Sequence, residues 1–244
     1  MTNIIRIFVF AAYLQFAFCL PTTQTQSDLK DSSSTEQNAL TQPKSTNKPT
    51  ALTLEEQNFI TRERKRLSTM ITEGDKKHQQ FLLQGNNKIT KDILADPAIN
   101  SLDSEDVKKK KAVLEQFVKD SDDILNGTDK KSVIRVLKDF YTIANEHYFN
   151  KKNLTNVDDI WFNALKAHGM DQFDADETKL LKEIGYLYAD EFEKYLDSLS
   201  PAGREKEKDL VHARETYLEN KDIIDKADYA FRYVQFFNEQ QTNE

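Results

Sequence analysis

The chain has 244 residues, with 34 basic and 41 acidic side chains, a formal net charge of −7 and a mean hydropathy of −0.70. An acidic surface repels phosphate backbones, which argues against nucleic-acid binding. One cysteine in the whole chain excludes an internal disulfide and every cysteine-cluster metal site.

Met1 to Arg6 carry one positive charge, and Ile7 to Phe18 are apolar apart from Gln15. This is the layout of a signal peptide, and Ala17-Phe18-Cys19 sets small side chains where a signal peptidase must accept them. Residues 1–19 are therefore expected to be removed, leaving Leu20 as the new terminus. The apolar run of about 12 residues is short of the roughly 20 that cross a hydrocarbon core. Cleavage takes away Arg6 and the lone Cys19, so the product has 33 basic against 41 acidic residues and a charge of −8. Without a disulfide, it must be held together by a hydrophobic core.

Residues 20–51 are rich in Ser, Thr, Gln, Asn and Pro, with few large apolar side chains. Such a stretch buries too little surface to offset its ordering entropy, and a disordered tail is expected. Residues 52–244 are expected to form one helical domain. Thr53-Leu54-Glu55-Glu56 has the form of a capping box, and Ile60, Leu67, Met70, Ile71, His78, Phe81 and Leu82 follow at helical spacing. Gly85-Asn86-Asn87 reads as the stop of this helix, with a short helical piece at Lys88–Leu94 closed by Pro97.

Ser104 is expected to cap the next helix, through Val107, Leu114 or Val113, Phe117, Val118 and Leu125, ended by Gly127. Its Lys108–Lys111 run, flanked by Glu105, Asp106 and Glu115, reads as a solvated face. Thr128 is expected to cap a fourth helix with a wide stripe from Val133 to Phe149, central to the bundle. A short helix through Ile160, Trp161, Ala164 and Leu165 ends at Gly169. The following helix carries Leu180, Leu181, Ile184, Leu187, Tyr188, Phe192, Tyr195 and Leu196. Ser200-Pro201 is a stop and a new start, and the last stretch is one long helix or two, broken near Asn220. Six glycines in the chain and no period-two alternation speak against sheets. The fold expected is all-α, a single globular bundle of about six to eight helices.

The four histidines, His78, His147, His168 and His212, form no H-E-x-x-H or H-x3-5-H spacing, so neither a metal nor another cofactor is expected. Asp174-x-Asp176 begins like an EF-hand loop but has Lys179 at the sixth position and Gly185 at the twelfth. G-x-S-x-G, Walker and G-x-G-x-x-G motifs are absent from the sequence, and the expectation is a non-enzymatic protein. Asn126-Gly127-Thr128 and Asn153-Leu154-Thr155 are sequons, which makes Asn126 and Asn153 the glycosylation candidates.

Aromatic side chains crowd the second half. Tyr148, Phe149, Trp161, Tyr186, Tyr188, Tyr229 and Tyr233 are the candidates for a contact surface or a pocket, since Tyr186 and Tyr188, two positions apart, cannot both face one core. In layout the chain resembles the small, cysteine-poor helical proteins of saliva or excretory products in blood-feeding insects and parasitic worms. That resemblance implies a secreted, host-directed factor that acts extracellularly by binding a partner protein. It is also similar to secreted helical lipid carriers of nematodes in being acidic, cysteine-free and rich in Lys/Glu helices. This implies the alternative of a small apolar ligand, a fatty acid or retinoid, held between helices.

Overall fold

Thr53 opens the first helix as its sequence predicts, its hydroxyl accepting the Glu56 N–H at 3.2 Å. The computed structural model describes residues 51–129, 131–149, 155–219 and 225–241. The signal-peptide reading of 1–19, all but Ala51 of the 20–51 tail, and Asn153 lie outside the described residues. The second half of the expected capping box is diverted, because the Glu56 carboxylate accepts a hydrogen bond from the Ser200 hydroxyl. A local cap has become a tie between Glu56 and Ser200, 144 positions apart in sequence.

Helix α1 runs Leu54–Ala95, 42 residues, about 63 Å at 1.5 Å per residue. The expected stop at Gly85-Asn86-Asn87 is overturned, and the Lys88–Leu94 piece is the end of the same helix. These residues serve packing between helices. A Cβ at Gly85 would collide with the Phe173 ring, which stacks on Phe81 at 5.1 Å. Asn86 Nδ2 donates to the Tyr141 hydroxyl at 3.3 Å, and Asn87 Nδ2 to Val118 O and Asp122 Oδ1, each at 3.2 Å. Amide N–H groups engaged across the helix interface in this way no longer compete with the helix backbone, although the buried Asn86 Oδ1 has no hydrogen-bond partner.

Asp96 caps the four-residue α2 (Pro97–Asn100), its carboxylate accepting from Ala98 N. Ser104 caps α3 (Glu105–Leu125), and Gly127, at φ 71°, closes it in the left-handed region that glycine enters freely. Thr128 belongs to this closure. Its hydroxyl donates to Asp123 O at 2.8 Å, so it does not cap the next helix, whose N-cap position is Ser132. Helix α4 (Val133–Ala144) passes into a π turn at Asn145–Phe149.

A full capping box between Thr155 and Asp158 starts α5 (Asn156–Ala167), and Gly169, at φ 92°, separates it from α6 (Met170–Asp197). Ser200 and Pro201 start α7 (Pro201–Lys206) as expected. The last stretch is two helices, α8 (Lys208–Glu219) and α9 (Lys226–Gln241). The described residues thus hold nine α-helices and one π turn, and the all-α bundle is the observed fold.

The described residues group into one compact unit with two apolar cores. Leu83, Ile89 and Ile93 from the C-terminal half of α1 pack with Phe117 of α3, Phe140 of α4, Trp161 of α5 and Phe173 of α6. Ile60, Leu67 and Ile71 from its N-terminal half pack with Tyr188, Phe192 and Leu196 of α6 and with Tyr229, Tyr233 and Phe237 of α9. Helix α4 was expected at the centre, yet α1 and α6 are the elements both cores share; α4 buries one face, through Val136, Leu137, Phe140 and Ile143, in the first core only. Among the described residues no helix is long and apolar enough to cross a membrane.

Candidate functional site

The seven aromatic candidates divide among three places. Tyr148, Phe149 and Trp161 gather in the first core, where Tyr148 meets Phe149 edge-on at 5.0 Å and stacks near Phe162 at 5.5 Å. The Tyr148 hydroxyl donates to Asp171 at the start of α6. Tyr188, Tyr229 and Tyr233 are buried in the second core, with Tyr229 and Tyr233 edge-to-face at 5.2 Å and Tyr233 stacked on Phe192 at 5.3 Å. Their rings fill the space between helices with one another. Tyr186 alone of the seven is exposed, at 45 %.

The opposite placement of Tyr186 and Tyr188 follows from helix geometry: Tyr188 donates to the Ile71 carbonyl across the core at 3.0 Å, while Tyr186 turns outward. Leu187, which the sequence stripe assigns to the core, is 51 % exposed beside it. The stripe is corrected there because Ile184, Tyr188 and Ala189 already complete the buried face of this turn. Tyr186 also bonds the Asp225 carboxylate, which Lys182 holds at 2.9 Å. Charged side chains therefore surround an apolar pair on the outer ridge of α6.

On α1, Arg62, Lys65, Arg66, Thr69, Met70 and Glu73 line an open depression of about 430 Å³. Arg66 is divided between Glu63, at 2.7 Å, and Glu191 of α6, at 2.5 Å. Arg62 lies over the Phe59 ring at 5.5 Å. Leu187 stands four positions before Glu191, on the same face of α6. In the sequence, exposed Leu187 is indistinguishable from a core leucine until the helix phase is known.

Three of the four histidines are each bonded to a carboxylate: His78 Nε2 to Glu177 at 3.1 Å, His168 Nε2 to Asp96 at 2.8 Å, and His147 Nδ1 to Asp158 at 2.9 Å. His212 is exposed. His147 is the most deeply set, 1 % exposed in the π turn, with its ring stacked on Trp161 at 5.4 Å. Since Asp158 can only accept, Nδ1 carries the proton and Nε2 is a bare acceptor without a hydrogen-bond partner. Burial, reinforced by nearby Lys110, pushes the imidazole pKa below its ordinary value. Among the described residues no cluster of three or more His, Cys, Asp or Glu could hold a metal ion.

Asn126 is exposed in the turn after α3, where its side chain has room for a glycan. No protein-family model matches the chain, and no curated protein and no solved structure matches it either.

Proposed function

We propose that the chain is exported, loses residues 1–19, and acts outside the cell as a non-enzymatic protein that binds a partner protein. The observation that carries this reading is the Tyr186–Leu187 pair, 45 % and 51 % exposed on α6, where the other exposed residues from Lys179 to Asp197 are charged. An aromatic and an aliphatic side chain held on a long rigid helix, inside a polar rim, have the composition of a binding hot spot. The internal histidines, by contrast, are occupied with carboxylates that cap or align helices. A host-directed role is the biological form of this reading that the layout of the chain suggests.

The test places a photo-crosslinking amino acid at position 186 of the exported protein and, as a control, at exposed Lys88 of α1, then irradiates it in the extracellular fluid it enters. An adduct of one defined mass at 186 and none at 88 is expected. Absence of any adduct, or equal adducts at both positions, contradicts the reading.

A further inference from the structure

We propose that the π turn Asn145–Phe149 is an acid-operated latch: as the surroundings acidify, His147 takes a second proton on Nε2 and draws the Glu146 carboxylate away from Lys110, releasing the turn from α3. The device is independent of the partner-binding reading.

Glu146 Oε1 lies 2.8 Å from Lys110 Nζ and 3.9 Å from His147 Nε2, so one oxygen stands between a permanent cation and a potential one. While Nε2 is bare, Lys110 holds that oxygen, and the bond ties the π turn to α3 across 36 positions of sequence. Nε2 is buried and has no hydrogen-bond partner. Once protonated it is a donor that must find an acceptor, because an unpaired buried charge is costly. Asp158 is already committed: its Oδ1 accepts from Nδ1 at 2.9 Å, and its Oδ2 accepts the Thr155 N–H and hydroxyl at 2.8 and 2.7 Å. The Trp161 indole N–H beside the ring is itself a donor. Of the side chains around the ring, Glu146, 53 % exposed, is the acceptor within reach, about 1 Å beyond hydrogen-bond distance. Lys110 keeps Asp106 of its own helix at 2.8 Å when Glu146 leaves, so the exchange strands no cation.

The charges that face the ring are Asp106 and Lys110 from α3, Glu146 from the turn itself and Asp158 from α5, while the buried side chains of α4 are apolar. Burial first, and Lys110 second, keep the imidazole neutral, so the latch is shut above about pH 6.5. A π turn is an uncommon departure from α geometry that concentrates at functional sites. Here it is the element on which the proton acts.

Trp161, the only tryptophan in the chain, stacks on the His147 ring at 5.4 Å, and an imidazolium in ring contact quenches indole fluorescence. The full exported protein is titrated from about pH 7.5 to about pH 4.5, with far-UV ellipticity and backbone hydrogen exchange followed alongside. Fluorescence is expected to fall at constant ellipticity with a midpoint below about pH 6.5, a step absent in His147→Phe, moved to lower pH in Glu146→Gln and to higher pH in Lys110→Met. Below the midpoint the amides of 145–149, corrected for the intrinsic effect of pH, should exchange at least about tenfold faster, and those of 60–71 in α1 should not. No step in the wild type, a step that survives in His147→Phe, or midpoints unmoved in the other two variants overturns the latch. So does unchanged exchange at 145–149, the mark of a histidine that titrates without moving, or an equal rise in both segments, the mark of a fold lost as a whole. Should His147→Phe fail to fold, the opposed shifts in Glu146→Gln and Lys110→Met carry the test together with exchange in the wild type.

Discussion

The Arg64 guanidinium meets the Glu207 carboxylate through two parallel hydrogen bonds, Nε to Oε1 at 2.8 Å and the second nitrogen to Oε2 at 2.9 Å, across 143 positions of sequence. Glu207 is fully buried between α7 and α8, Arg64 is nearly so, and Phe237 of α9 packs its ring 5.5 Å from the guanidinium. The pair joins α1 to the C-terminal helices. Both charges have left water, so removing one strands the other. Glu207→Gln is expected to cost about 3–5 kcal/mol, and the paired change R64M/E207L considerably less. Chemical denaturation of the three proteins checks this, and equal losses for the single and paired changes would contradict it.

Acid should weaken the fold in two separate windows. The unfolded chain protonates His147 near pH 6.5, whereas the buried imidazole, facing Lys110 of α3 as well as Asp158 and Glu146, takes its proton only at lower pH. Its contribution is complete above about pH 6.5 and is lost as pH falls from there to the folded value. Asp96, held down first by His168, and Asp190, held down by Lys226, act in the same direction at lower pH. Their contribution is lost only below about pH 4. Melting temperature against pH should therefore decline from about 6.5 downward in the wild type and stay flat to about 5 in His147→Phe. An unchanged slope in that variant would remove His147 as the cause.

At the crossing of α6 and α9, a Cβ on Gly185 would lie 2.7 Å from the Ala227 carbonyl oxygen and 2.8 Å from its Cβ. Backbone cannot yield as a flexible side chain can. Gly185→Ala is expected to destabilise the protein by about 1–3 kcal/mol, against the roughly 0.8–1 kcal/mol that alanine contributes in an open helix. A more stable Ala variant in denaturant titration would contradict the close contact.

The helix ends were readable because caps are local: Thr53, Ser104, Ser200 and Gly169 act within three or four residues of themselves. What escaped depends on distant partners. Gly85-Asn86-Asn87 has the chemistry of a stop, and only Phe173, Tyr141, Val118 and Asp122 make it helix interior. Thr128 has the chemistry of an N-cap, and the turn at Gly127 directs it to Asp123 instead. Of the aromatic candidates, the Tyr186/Tyr188 spacing correctly implied two faces, but spacing says nothing of which face is covered. For the same reason Leu187, exposed in the structure, reads as core.

The buried tyrosines bear on the carrier alternative. Phe192, Tyr229, Tyr233 and Phe237 contact ring to ring at 5.2–5.6 Å, so the second core is filled by its own side chains. Titration of the delipidated protein with a fluorescent fatty acid or with retinol should give no saturable signal. A saturable signal displaced by unlabelled ligand would favour carriage over partner binding.

Action outside the cell is the premise of every contact proposed for α6, and it is open to direct measurement. The full chain, Met1–Glu244, is expressed in cells with a secretory pathway, and the intact mass of the product is determined in the medium and in the cell pellet. A species in the medium beginning at Leu20, with a hexose-containing adduct that disappears in Asn126→Gln/Asn153→Gln, is expected. A chain that stays in the pellet with Met1–Cys19 attached would contradict export and, with it, an extracellular partner.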